Sequence, residues 1–171
     1  MREARAQGHA VRALGVDVAT RAGWSVVQAD GGHESVIETG IVSPGDPPVC
    51  QQIEHVVSRA FRQGVELAVL ERPYLDRNVA TMEVLARLLG AWEHACATRG
   101  LDVVLVRASE WQSAILRGLI NQASKRVQRK RAARMWVKAT FGLDCGEDES
   151  DAIALAVWGL RTARARGLGI G

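Results

Sequence analysis

No apolar run in this sequence of 171 residues approaches the ~18 that a membrane-spanning helix needs. The first residues, MREARAQGHA, lack the apolar core of a secretory signal, so none is expected. Cysteine is scarce: Cys50, Cys96 and Cys145 are odd in number, far apart and without a CxxC pair. That pattern speaks against a disulfide framework and for reduced thiols in a cytoplasmic protein. Neither thiolates nor paired histidines are spaced for zinc. A Gly-rich phosphate loop is missing too, since VDVATRAGW is a poor substitute for one, which disfavours an actin-like nucleotide-binding domain.

What is present suits an ordinary globular protein, with 47% hydrophobic and 24% charged residues. The length predicts one domain, 1–171, with a core over about 11–165. Net charge is only +3, but the charges are segregated. From Arg117 to Lys138 eight basic residues occur without one acid, and Asp144 to Asp151 then holds five acids. Exposed helices usually mix signs, so the block reads as a phosphate-binding surface beside a cation site. A plain solvated helix face is the alternative.

Hydrophobic patterning predicts strands at Arg12–Val18, Trp24–Ala29 and Val36–Val42, with a turn around Ala22-Gly23. A helix follows over Gln52–Arg62, capped by Gly64, and then a buried strand at Leu67–Leu70. A long helix over Val79–Thr98 leads to a strand at Val103–Val106 and a short helix capped by Ser109. Asn121–Ser124 is a polar connector to a helix ending near Phe141-Gly142, and a last helix spans about Asp148 to Arg164. Three antiparallel strands, then two more reached through helices, make an α/β fold with one mixed five-stranded sheet flanked by helices.

Four carboxylates fall in informative places. Asp17 lies within an apolar strand, Glu71 ends another, and Asp148 and Asp151 share a face at the start of the last helix. A buried strand is a costly place for an ionised carboxylate unless it is paired or binds a cation. Each acid also has an ordinary explanation: Asp17 capping a turn with Thr20, Glu71 paired with Arg72 or Arg77, Asp148 as an N-cap with Asp151 at N3. Together they suggest a site for hard divalent cations, Mg²⁺ or Mn²⁺, with two ions ~4 Å apart for phosphodiester hydrolysis.

The segments LGVDVATRAGWSVV, VLERPYL and GEDESDAIALAVWG resemble the three acidic motifs of RuvC-type Holliday-junction resolvases, over about residues 12 to 162. The resemblance implies a ribonuclease H-like fold, two Mg²⁺ ions per site with Mn²⁺ able to substitute, and a homodimer that makes paired incisions in four-way DNA junctions. Asp17, Glu71, Asp148 and Asp151 match the family's metal ligands, and Lys130 matches its catalytic lysine. Tyr74 matches the aromatic that stacks on junction bases; covering the sheet edge is the other reading. Lys125, Arg126 and Arg129 accompany Lys130 as expected phosphate contacts. Glu147, four residues from Asp151, stands as an alternative ligand to Asp148. The first motif lacks the Pro-Gly of bacterial housekeeping members and is similar to phage-type ones, some of which accept forks and flaps. Rival expectations are a ribonuclease H-like enzyme acting on RNA or RNA–DNA hybrids, and a non-catalytic junction-binding subunit. The apolar stripe Met82, Leu89 and Trp92 on the long helix is the expected dimer face, part of it being taken by core packing, so that the helix buries one side on the sheet and another on its twin.

Overall fold

The computed structural model describes residues 10–74 and 78–167. Five strands form one sheet: β1 (Val11–Asp17), β2 (Ala22–Asp30), β3 (His33–Val42), β4 (Val65–Glu71) and β5 (Asp102–Val106). Their spatial order is β3-β2-β1-β4-β5. The first three are antiparallel neighbours, while β1–β4 and β4–β5 are parallel. Parallel pairing needs crossovers, and helices α1 (Val49–Arg62) and α2 (Val79–Ala97) supply them. Then come α3 (Ala108–Ile115), α4 (Arg126–Phe141) and α5 (Glu147–Ala165). This is the mixed sheet of a ribonuclease H-like fold.

Side chains alternate across a strand, so each central strand feeds two cores. Leu14, Val16 and Leu70 join Ile53, Val57 and Trp92 beneath α1 and α2. Ala13, Leu67 and Val69 join Ile153, Val157, Ala133 and Trp111 beneath α3, α4 and α5. Helix α5 is the deepest, with Ser150–Val157 buried throughout.

Two glycines set how closely α5 approaches the sheet. A Cβ on Gly15 would come within 2.6 Å of the Ala156 nitrogen, and one on Gly23 within 2.8 Å of the Glu149 nitrogen and closer still to the Asp148 carbonyl. No real Cβ fits there, so the backbone of α5 rests directly on β1 and β2. This corrects the reading of Ala22-Gly23 as a turn. Gly23 lies inside β2 opposite Asp17, and the chain reverses over 18–21 instead.

Two further expectations are revised. Ser109 does not cap α3; Arg107 does, its N–H bonding the Glu110 carboxylate at 2.9 Å, so Ser109 sits in the first turn. Trp92 is wholly buried in the core and Leu89 packs against that core, so neither belongs to a free face of α2. Gly64, by contrast, has the positive φ (77°) expected just past the end of α1.

Candidate active site

Strand parity brings the first two acids together. Asp17 continues the face of Ala13 and Gly15, and Glu71 that of Leu67 and Val69, so both look towards α5. The β1–β4 register pairs Val16 with Leu70, which places the next residues, Asp17 and Glu71, side by side at the carboxyl ends of the two central strands. Such ends are where sheets of this kind hold their ligands.

Helix α5 adds the other pair. Its N-cap is Gly146, whose N–H donates to Glu149 at 3.1 Å, so Glu149 is the capping acid. Asp148 and Asp151 therefore lie within the helix and are not its cap, which removes the ordinary explanation for both. Because α5 rests on Gly15 and Gly23, its first turn is carried onto the strand that bears Asp17. Asp151 is 6% exposed.

One lysine serves this cluster. Lys130, from the second turn of α4, donates to Asp148 at 2.9 Å and lies 3.9 Å from Asp151 and 4.0 Å from Glu147. Asp148 faces it with a side chain 23% exposed, whereas Glu147 is 51% exposed. Asp148 is thus the inward acid and Glu147 the rim. Arg21, in the β1–β2 turn, approaches Asp148 from outside at 3.4 Å. Nothing local in the sequence marks Arg21, because its partner is at the far end of the chain.

The electrostatics show negative charge in excess. Burial raises Asp17 to about 6, with Asp148 adding to the effect and Lys130 and Arg126 opposing it. Burial and then Asp17 push Glu71 to about 7, and burial and then Asp17 push Asp151 to about 8. Burial alone would lower Lys130, but its bond to Asp148 and the charges of Asp151 and Asp17 prevail, and its pKa is raised. Even with Arg21 on Asp148 and Arg126 nearby, Asp17, Glu71 and Asp151 stay raised.

Glu71 has a partner that sequence reading missed. The indole Nε1–H of buried Trp111 in α3 donates to Glu71 Oε2 at 2.5 Å. The expected alternative, Arg77, lies outside the described residues. Tyr74, three residues on, is 87% exposed and covers no sheet edge.

The basic block divides by role. Lys125 and Arg126 are exposed at the start of α4, and the charge of Arg126 reaches Asp17 and Glu71. Arg129 turns inward, donating to the Ser124 carbonyl at 2.9 Å and to Gln112 at 3.1 Å, and so braces the connector against α3.

The donor set suits a hard divalent cation. It consists of carboxylate oxygens, and burial holds three of the acids, Asp17, Glu71 and Asp151, above the ordinary carboxylate range. Among the described residues no three of these groups close into a ready-made cage.

Comparison with known proteins agrees with this geometry. Residues 13–158 match the family "Crossover junction endodeoxyribonuclease RuvC". A protein of that name from Anaeromyxobacter dehalogenans is 31% identical over 84% of this chain and 77% of its own length. One from Mycobacterium leprae is 30% identical over 86% of this chain and 80% of its own. The structure of Thermus thermophilus RuvC in complex with a Holliday junction substrate superposes with a TM-score of 0.75, over 91% of this chain and 96% of that one. At 17% identity that likeness speaks for the fold. With its sheet order, its two strand-end acids and its terminal DxxD helix, the chain belongs to the RuvC family of crossover junction endodeoxyribonucleases.

Proposed function

We propose that this protein is a metal-dependent endodeoxyribonuclease that resolves four-way DNA junctions, acting as a homodimer in the cytoplasm. The observation that carries the reading is the convergence of Asp17, Glu71, Asp148 and Asp151 around Lys130 at the ends of β1 and β4. A non-catalytic subunit would have no use for three buried acids, Asp17, Glu71 and Asp151, whose charges oppose one another.

In this reading Asp17, Glu71, Asp148 and Asp151 hold two Mg²⁺ ions, for which Mn²⁺ can substitute. When bound, such ions supply an activated water and counter-charge for the leaving oxygen. Lys130 holds its ammonium beside the scissile phosphate and stabilises the charge that develops there. Lys125 and Arg126 grip flanking phosphates, and Arg129 keeps their connector in place. Tyr74, free in solvent beside the site, stacks on an unpaired base at the branch.

Two equivalent strands of a junction are most simply cut by two sites related by a two-fold axis. The first half of α2 offers the face. Val79 and Val84 are 69% and 43% exposed, and Met82 and Leu85 are half-buried but outside both cores. Among the described residues no helix is long and apolar enough to cross a membrane.

Because the VATRAGW segment, without Pro-Gly, is similar to phage-type relatives, the proposed substrate range extends to forks and flaps. A single gel tests the proposal: four-way junction, fork, flap, linear duplex and RNA–DNA hybrid, each with Mg²⁺, Mn²⁺ or chelator. Metal-dependent, symmetric incision of the junction is expected. Cutting of the hybrid in preference to the junction would overturn it.

A further inference from the structure

Any buried tryptophan needs an acceptor for its N–H, and a backbone carbonyl would do. Trp111 instead spends its single donor on a carboxylate in a cluster that is already short of positive charge. The indole is fully buried, in the same core as Val106, Ile115 and Ala133, so its position is set by packing and not by Glu71. Glu71 is the opposite case: it ends a strand, and its three side-chain torsions would otherwise let the carboxylate swing.

We propose that Trp111 is a positioning residue for the metal site, its immobile indole N–H pinning Glu71 by Oε2 so that Oε1 is presented to the cation. This rests on the metal-site reading above. The choice of donor matters chemically. An indole carries no charge and cannot accept a proton, so it orients the carboxylate without neutralising it. A lysine at the same place would orient Glu71 and compete with the metal at once. Partners that orient ligands in this way affect metal affinity by about 10- to 100-fold when removed.

The consequence is a link between metal and protein interior that does not pass through DNA. When a cation draws on Oε1, electron density at Oε2 falls and the indole proton feels it.

Two measurements test this. Mn²⁺ is titrated into the metal-free chain, without DNA, and bound ion is counted from the free-ion paramagnetic resonance signal. Trp111→Phe keeps the ring and removes the donor, so it should bind Mn²⁺ about 10- to 100-fold more weakly while four-way junction affinity in chelator stays at the wild-type value. On the wild-type chain, which removes dependence on the variant's folding, the five tryptophan indole N–H resonances are followed during a Mg²⁺ titration. The Trp111 signal, assigned from its contacts with Val106 and Ile115, should lie downfield of the rest and move as Mg²⁺ binds. A Trp111 signal unmoved where Mn²⁺ is bound stoichiometrically, or a folded Trp111→Phe chain with wild-type Mn²⁺ affinity, overturns this proposal alone. A wild-type chain that binds no Mn²⁺ overturns it together with the functional reading.

Discussion

The substitution Gly23→Ala is the sharpest probe of how this site is assembled. It adds one methyl group in β2 and changes no titratable group. The added Cβ would stand 2.8 Å from the Glu149 nitrogen and closer to the Asp148 carbonyl, where ordinary contacts lie near 3.5 Å. Backbone on both sides leaves nothing to rotate away, so the first turn of α5 must lift by about 1 Å. Overpacking of this kind costs about 1–3 kcal/mol, which the fold should survive. The larger effect is on function. The displaced turn carries Asp148 and, one turn on, Asp151, and a misplacement of about 1 Å at reacting groups costs about 100-fold in rate. Single-turnover cleavage of a four-way junction, at saturating Mg²⁺ and well below the melting temperature, should therefore fall about 100-fold. Junction affinity in chelator should hold, because Lys125 and Arg126 sit on α4. Gly90→Ala is the control: no atom lies within 4 Å of its Cβ, and alanine in mid-helix should stabilise by about 0.5–1 kcal/mol with cleavage unchanged. A Gly23→Ala protein that cuts within about threefold of wild type would refute the idea that close helix-to-sheet contact sets the site.

Other expectations follow from the same geometry. Asp17→Asn should abolish junction cleavage while binding, read by gel shift in chelator, stays equal or tightens; near-normal cutting would remove Asp17 from the metal site. Asp17, Glu71 and Asp151 all have folded-state pKa values raised above the ordinary carboxylate range, so their contribution to stability is fully present below that range and is lost as pH rises to about 8. The metal-free chain should thus lose melting temperature between roughly pH 4 and 8 relative to Asp151→Asn, and Mg²⁺ should restore it; parallel calorimetric curves for the two proteins would count against this. Replacing Lys125 and Arg126 with Ala should reduce the salt slope of junction binding by about one counterion per residue, and an unchanged slope would mean that they face solvent. Leu85→Glu should split the dimer in sedimentation and leave single nicks in a supercoiled cruciform plasmid, whereas an intact dimer would move the interface elsewhere.

The acids were legible because each leaves a mark within its own segment. Asp17 and Glu71 interrupt apolar strands, and two residues three apart in a helix share a face wherever the helix packs. The five strands were legible for the same reason, although their ends were not. Strand β3 begins at His33, in polar sequence, because its pairing with β2 continues beyond the apolar stretch. What the sequence hides is contact between distant segments. The hydrogen bond from Trp111 to Glu71 spans 40 positions, and neither residue's neighbours announce the other. Gly23 reads as a turn glycine because nothing nearby says that a helix from the other end of the chain lies on it. Trp92 sits in register with the exposed stripe of α2, and only the path of α1 shows that the core claims it.

The placement of α5 has a consequence for synthesis of the protein. On the ribosome the whole sheet, with Asp17 and Glu71, leaves the exit tunnel before the helix that carries Asp148 and Asp151. Until that helix docks on Gly15 and Gly23, two of the four acids are missing from the strand ends. On the metal-site reading, a chain cut short anywhere before α5 should therefore lack phosphodiesterase activity, and docking of that helix is the arming step of the nuclease.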